Sequence, residues 1–250
     1  TLSFADGQGN QSWTYPPDGL PATISTLNPN AAPVVNTYNY DRRRLLKSET
    51  TAIAGALPQH QYVYNANGHL SSMVYGSGLS VAYTPNALGQ PTQAGSYATG
   101  VKYHPNGGIQ EFTYGNAIRH TLTQNVRGLP DTSCDFYGTC NASAILNDGY
   151  DYDSNGNVAA ISDGRTGNRG HRTMTYDALD RLTSVSVPNP ASSFFGNATY
   201  AYDVFDNLTR VHVTGGNHPR NHYYCYDTAW RLTNVKTGSC SGATVIGLGY

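Results

Sequence analysis

The chain has 250 residues and a mass of 26.9 kDa, enough for a full core, yet only 12% of it is charged, about half the ~25% of ordinary soluble domains. Fifteen basic against sixteen acidic residues leave a formal net charge of −1. Apart from Arg42, Arg43 and Arg44 the basic residues are scattered, so no electrostatic footprint for nucleic acid is present. No apolar run approaches the ~20 residues of a membrane span, and the opening TLSFADGQGN has neither a start Met nor a signal-peptide pattern.

Twenty Tyr and 27 Gly, with abundant Asn, Thr and Ser, supply half-polar strand faces and turns rather than helices. The expected class is all-β.

A seven-residue template, Y-D-x-x-G-x-L, recurs along the chain. With the Tyr as position 0, a degenerate start lies at Ala5 to Gln11 (ADGQGNQ), followed by Tyr15 to Pro21 (YPPDGLP), Tyr40 to Leu46 (YDRRRLL) and Tyr64 to Leu70 (YNANGHL). Pro85 to Pro91 (PNALGQP), Tyr103 to Ile109 (YHPNGGI), Gln124 to Pro130 (QNVRGLP) and Tyr152 to Val158 (YDSNGNV) continue the series. It closes with Tyr176-Asp177, Tyr202-Asp203 and Tyr226-Asp227, in YDALDRLTSV, YDVFDNLTRV and YDTAWRLTNV. From Tyr15 to Tyr226 successive starts lie 25, 24, 21, 18, 21, 28, 24, 26 and 24 residues apart. Residues 1–250 therefore read as a single repeat region of about ten repeats, an excerpt of a longer protein.

Each template position carries a physical expectation. Position 4 is Gly19, Gly68, Gly89, Gly107, Gly128 and Gly156, which suits a backbone site with φ > 0. Asp180 and Asp206 are the next-best occupants. Arg44 and Trp230 depart from the rule, and a different turn or strain of about 1 kcal/mol is expected there. Position 1 is Asp41, Asn65, Asn86, Asn125, Asp153, Asp177, Asp203 and Asp227, acceptors for backbone amides two residues on. Tyr at position 0 (Tyr40, Tyr64, Tyr152, Tyr176, Tyr202, Tyr226) and Leu or Pro at position 6 should face one side of a hairpin.

Further strand candidates are Gln61 to Tyr64, Leu79 to Tyr83, Ile109 to Tyr114, Ile118 to Thr123, Thr199 to Tyr202 and Arg210 to Val213. MVYGSGLSVAY and FTYGNAIRHTL read as extra hairpins. Two strands per repeat give on the order of twenty strands, more than one twisted open sheet holds without curling. Cys134 to Asn147, Asp163 to Arg172 and Pro188 to Asn197 read as long loops. The cysteines fall into two local groups, Cys134 with Cys140 and Cys225 with Cys240, which suits disulfides in an oxidising compartment. Three connectivities are open to four cysteines.

Sites of chemistry are weakly signalled. Asp151-x-Asp153-x-Asn155-Gly156 begins like a calcium loop, but position 12 is Ser162 rather than a bidentate Glu, and the repeat turn already accounts for these residues. His218, His222, Cys225 and Cys240 are donors of zinc type at a spacing that matches no known finger. No nucleophile elbow, phosphate-binding loop or HExxH motif occurs. No catalytic residue, metal site or cofactor is expected, and the Tyr stripe reads as packing rather than as a surface for sugars or unfolded chains.

The YD template at this spacing resembles the rearrangement-hotspot (Rhs) and YD-repeat family over nearly the whole chain. The resemblance implies a long antiparallel sheet spiralling into part of a hollow shell. In bacterial members such shells enclose a C-terminal toxin, and similar shells in Tc-toxin complexes and teneurins serve delivery and adhesion. The sequence reaches Tyr250 without the DPxGxxDPxG-like core or a variable C-terminal domain, so neither self-cleavage residues nor a toxin activity is carried over. The implied function is a non-enzymatic, secreted or cell-surface bacterial shell segment. Its partners would be a polypeptide cargo, the remaining shell and secretion machinery. A β-scaffold for adhesion or carbohydrate binding is the alternative.

Overall fold

The computed structural model describes residues 2–6, 9–27, 32–53, 55–167, 170–189 and 193–247, with twenty-one strands and no helix among them. The ADGQGNQ copy includes residues outside this set. The chain divides into two compact units, Thr1–Ala117 and Ile118–Tyr250.

In the first unit, β1 (Leu2–Asp6), β2 (Gly9–Thr14), β3 (Thr23–Leu27), β4 (Val34–Tyr40), β5 (Leu46–Ala52), β6 (Gln59–Tyr64), β7 (Leu70–Val74) and β8 (Ser80–Ala82) form a sheet in sequence order. The hairpin of β9 (Ala98–Tyr103) and β10 (Ile109–Tyr114) completes the unit. In the second, β11 (Arg119–Gln124), β12 (Pro130–Phe136), β13 (Leu146–Tyr152), β14 (Val158–Asp163), β15 (Arg172–Tyr176) and β16 (Leu182–Ser186) pair consecutively. They continue through β17 (Asn197–Tyr202), β18 (Leu208–Thr214), β19 (Arg220–Tyr226), β20 (Leu232–Thr237) and β21 (Thr244–Gly247). Every pairing described is antiparallel, so the connections stay local.

Within each unit the strands make close backbone contact only with their sequence neighbours. The accessible surface, 14965 Å², exceeds the roughly 13,000 Å² expected of two separate globules of half the mass each. Burial is correspondingly shallow. Val81 is buried in the first unit, Ala198, Val211 and Val235 are buried on one face of the second, and most other strand residues are half-buried.

Period-two alternation gives the sheets two unlike faces. Across the second unit, Met174, Val185, Ala198, Val213 and Arg220 stand opposite one another on five successive strands. One residue along, the other face carries Thr175, Ser184, Thr199, His212 and Asn221 in the same register. The first face also holds the template tyrosines, since Tyr176 pairs with Leu182, Tyr202 with Leu208 and Tyr226 with Leu232. The expected Tyr and Leu parity across the hairpin is thus realised as direct cross-strand pairs.

Three loop expectations need their limits moved. Cys134 lies inside β12, which runs to Phe136, and β13 begins at Leu146. Asp163 ends β14 and Arg172 begins β15; Asn197 begins β17. MVYGSGLSVAY folds as the β7–β8 hairpin, with Gly78 at φ 86°. In FTYGNAIRHTL a turn at Tyr114–Ala117 follows β10, and the left-handed residue is Ala117 (φ 67°) rather than Gly115.

Candidate functional site

The repeat turn is the most regular chemical feature of the chain. In each well-formed copy the position 4 amide donates to the position 1 carbonyl, and the position 1 amide donates to the carbonyl of position 5. Examples are Gly68 to Asn65 (3.0 Å), Asn65 to His69 (2.9 Å), Asp180 to Asp177 (3.1 Å) and Asp177 to Arg181 (3.0 Å). This is a tight turn closed by a residue in the left-handed region, which a hairpin bulge requires. Gly19, Gly68, Gly89, Gly107, Gly128 and Gly156 have φ between 76° and 96°. Asp180 and Asp206 take 59° and 67°, and Arg44 and Trp230 hold the same turn at 66° and 61°. Arg44 and Trp230 thus keep the common turn rather than adopt a different one.

The position 1 side chain closes the turn from within. One side-chain oxygen of Asp41, Asn65, Asn86, Asn125, Asp153, Asp177, Asp203 and Asp227 accepts two backbone amides, from positions 3 and 5, at 2.8–3.2 Å. The second oxygen often receives the position 5 side chain, as in Asn157 to Asp153, Arg181 to Asp177, Asn207 to Asp203 and Arg231 to Asp227. These donors hold the four carboxyls below the usual carboxylate range. The leading cause is the Asn157, Arg181 and Asn207 side chain for Asp153, Asp177 and Asp203, and the Arg231 amide for Asp227. Such acids stay ionised and fully engaged, which suits a clamp and not a proton donor near neutrality.

The tyrosines join one repeat to the next. Tyr64 Oη donates to the Leu46 carbonyl at 2.9 Å, Tyr103 to Pro91 at 2.6 Å and Tyr152 to Pro130 at 2.8 Å. Tyr176 reaches Val158 at 2.9 Å, Tyr202 reaches Leu182 at 3.0 Å and Tyr226 reaches Leu208 at 3.0 Å. The acceptor is always position 6 of the preceding copy. Burial is the leading cause that raises the pKa of these phenols, which therefore remain proton donors at physiological pH.

Position 7 carries a further contact. Thr92, Thr183, Thr209, Thr233 and Ser71 each donate a hydroxyl to the carbonyl of the residue before position 0, at 2.6–3.0 Å. The ladder register shifts between that residue and position 0, as at Thr175/Tyr176 and Ala201/Tyr202, so the hydroxyl supports the bulge. Arginines stitch adjacent turns. Arg43 binds the Asn65 and Ala66 carbonyls, Arg127 those of Asp153 and Ser154, and Arg181 the Asp206 carboxylate at 2.6 Å. The recurring Leu-Thr pair carried the position 7 signal in sequence; the reach between copies carried none.

Both cysteine pairs are disulfides, Cys134–Cys140 and Cys225–Cys240, with Cα separations of 6.2 and 5.8 Å. This selects one of the three connectivities and removes Cys225 and Cys240 from the zinc-type donor set. At the edge away from the repeat turns, Asp163 is 2% exposed. It accepts the Arg165 guanidinium at 2.8 Å on each oxygen and the Gly170 amide at 2.8 Å. The Arg165 hydrogen bonds hold it down to about 2 against the opposing effect of burial.

Residues 152–191 match the family model RHS Repeat. No curated protein sequence matches the chain. Solved structures share the fold. The complex TcdB2-TccC3-Cdc42 superposes with a TM-score of 0.63 at 13% identity, covering 94% of this chain and 18% of that one. TcdB2-TccC3 gives 0.59 at 13% over the same shares. The Photorhabdus luminescens Tc holotoxin pore gives 0.61 at 13%, over 91% of this chain and 17% of that one. The chain thus spans less than a fifth of the length of the chains it matches.

Proposed function

We propose that this chain, an Rhs/YD-repeat protein with a shell-like β-scaffold, is a wall segment that encloses a polypeptide cargo, a toxin being the leading candidate. The observation that carries this reading is the meander of consecutive antiparallel strands in which six template tyrosines bolt their own repeat to the one before it. A layer of this kind gains little from a core of its own; its use lies in the area it covers. Paired strands leave few free edges, and two faces of different polarity let one contact solvent while the other contacts what is covered. The role is structural rather than enzymatic. The disulfides and the shell neighbours support a secreted or extracellular setting, and a single YD-repeat region over residues 1–250 fits the regular spacing of the turns.

The test uses the full reading frame. The purified product is imaged by electron microscopy and treated with protease, and the fate of any segment outside the repeats is followed by mass spectrometry. A hollow particle in which that segment survives protease until the repeats are opened is the expected result. A solid or open particle, or cleavage of the segment at the rate of its isolated form, would overturn the reading. Saturable glycan binding by such an open particle would favour the adhesion alternative.

A further inference from the structure

A cavity of about 320 Å³ lies on the tyrosine face of the second unit, under the Phe194–Gly196 loop. Its floor is the apolar row Val185, Ala198 and Val213, which face one another across β16, β17 and β18. Phe194 and Phe195 form the loop side, while Arg172 and Arg220 also line the cavity. The volume is at the small end of ligand pockets, about 300–1,000 Å³, and suits one group of amino-acid size.

The two arginines make the cavity selective. Arg43, Arg165, Arg181 and Arg231 are all ion-paired. Arg172 and Arg220 are in no ion pair among the described residues. Arg172 donates to the Gly170 carbonyl at 2.8 Å and stacks on the Phe195 ring at 4.3 Å. Arg220 donates to the His218 carbonyl at 3.1 Å. A guanidinium offers five N–H donors, so each keeps most of its capacity. Asp148 is near enough for the Arg172 charge to lower its pKa, yet forms no pair with it, and burial still leaves that carboxyl raised. The stacked Arg172 is also fixed in orientation, which favours a planar, bidentate partner.

We infer that this cavity binds a carboxylate carried on an aromatic or branched apolar group, the carboxylate meeting Arg172 or Arg220 and the apolar body lying on the Val185, Ala198 and Val213 floor. The source is either a small free acid or the C-terminal residue of a polypeptide. The inference stands apart from cargo enclosure, since it needs only the second unit's face.

Isothermal titration of the full chain with N-acetyl-L-phenylalanine should give a saturable Kd on the order of 1 mM. The corresponding amide, which lacks the charge, should bind about tenfold or more weakly. Arg172→Met or Arg220→Met, whichever removes the guanidinium that meets the carboxylate, should weaken the acid about tenfold, and Ala198→Leu, which fills the floor and leaves both charges, should abolish binding. Thermal melts check that each variant is folded. Equal binding of 3-phenylpropionate and a tripeptide ending in Phe would identify a small-acid site; binding of the tripeptide alone would identify a C-terminus site. No saturation by any acid, equal affinity of acid and amide, or full binding by folded variants of both arginines would overturn the inference.

Discussion

Exchange of residues at template position 4 tests the repeat turn most directly, because the chain contains both the favoured and the strained occupant. Gly156 sits at φ 96° and Arg44 at φ 66° in equivalent turns. A left-handed conformation costs an L-residue roughly 1–2 kcal/mol, and glycine gives back about 0.5–1 kcal/mol through its freedom in the unfolded chain. Arg44→Gly should therefore stabilise by about 0.5–1 kcal/mol, and Gly156→Ala should destabilise by a similar amount. An added Cβ at Gly156 meets nothing closer than Leu129 Cδ1 at 4.0 Å, so strain is its only cost. At Gly89 the Cβ would lie 3.0–3.1 Å from the His69 ring, which should bring the loss for Gly89→Ala nearer to about 2 kcal/mol. Trp230→Gly relieves the strain at φ 61° but removes the ring that packs at a tilt against Phe205, with centroids 4.2 Å apart. That aromatic pair is worth about 0.5–1.5 kcal/mol, and the net change should be near zero. Urea unfolding followed by intrinsic fluorescence would rank the set, and each kcal/mol should shift the Tm by roughly 2–4 °C. If Gly156→Ala matched the parent, or Arg44→Gly were less stable than it, backbone conformation would not be what selects position 4.

Tyr202→Phe removes the hydroxyl bound to the Leu182 carbonyl and should cost about 1 kcal/mol; hydrogen exchange should show faster opening at the β16–β17 contact, and unchanged protection there would count against the tyrosine bolt. Asp163, held to about 2 in the fold, contributes about 2 kcal/mol that is fully present above an unfolded pKa near ~4 and is lost as pH falls toward 2. The difference in stability between the parent and Asp163→Asn should accordingly shrink through that window, and a constant difference would refute the linkage. Reduction of Cys225–Cys240, which closes a sequence separation of 15 residues, should destabilise by about 3 kcal/mol. Mass spectrometry should find no alkylated cysteine without reductant.

The fold class and the turns were legible because both rest on local chemistry. Glycine at φ > 0 and a short acid or amide at the start of a turn are read from single residues, and the repeat multiplied each signal. Contacts between copies were not legible. Nothing in Tyr176 itself says that its hydroxyl reaches Val158, 18 residues back, because that depends on how far one hairpin lies from the next. Arg181 likewise engages Asp206 as well as its own turn acid. The loop limits missed for a related reason. Cys134 and Phe136 are buried as part of β12, with Cys134 paired to Thr121 and Asn147, a contribution from neighbouring strands that local turn propensity does not contain.

The backward reach of the tyrosines also gives the chain a direction of assembly. Each bond spans 12 to 22 residues and points to the repeat made earlier, so a hairpin emerging from a ribosome finds its docking carbonyl already in place. Short contact separations of this kind favour rapid, sequential folding, and repeat arrays propagate from whichever unit forms first. Nascent chains stalled just past each copy should then gain protease resistance one repeat at a time. Resistance that appeared only on completion of the last repeat would show instead that the array folds as one cooperative block.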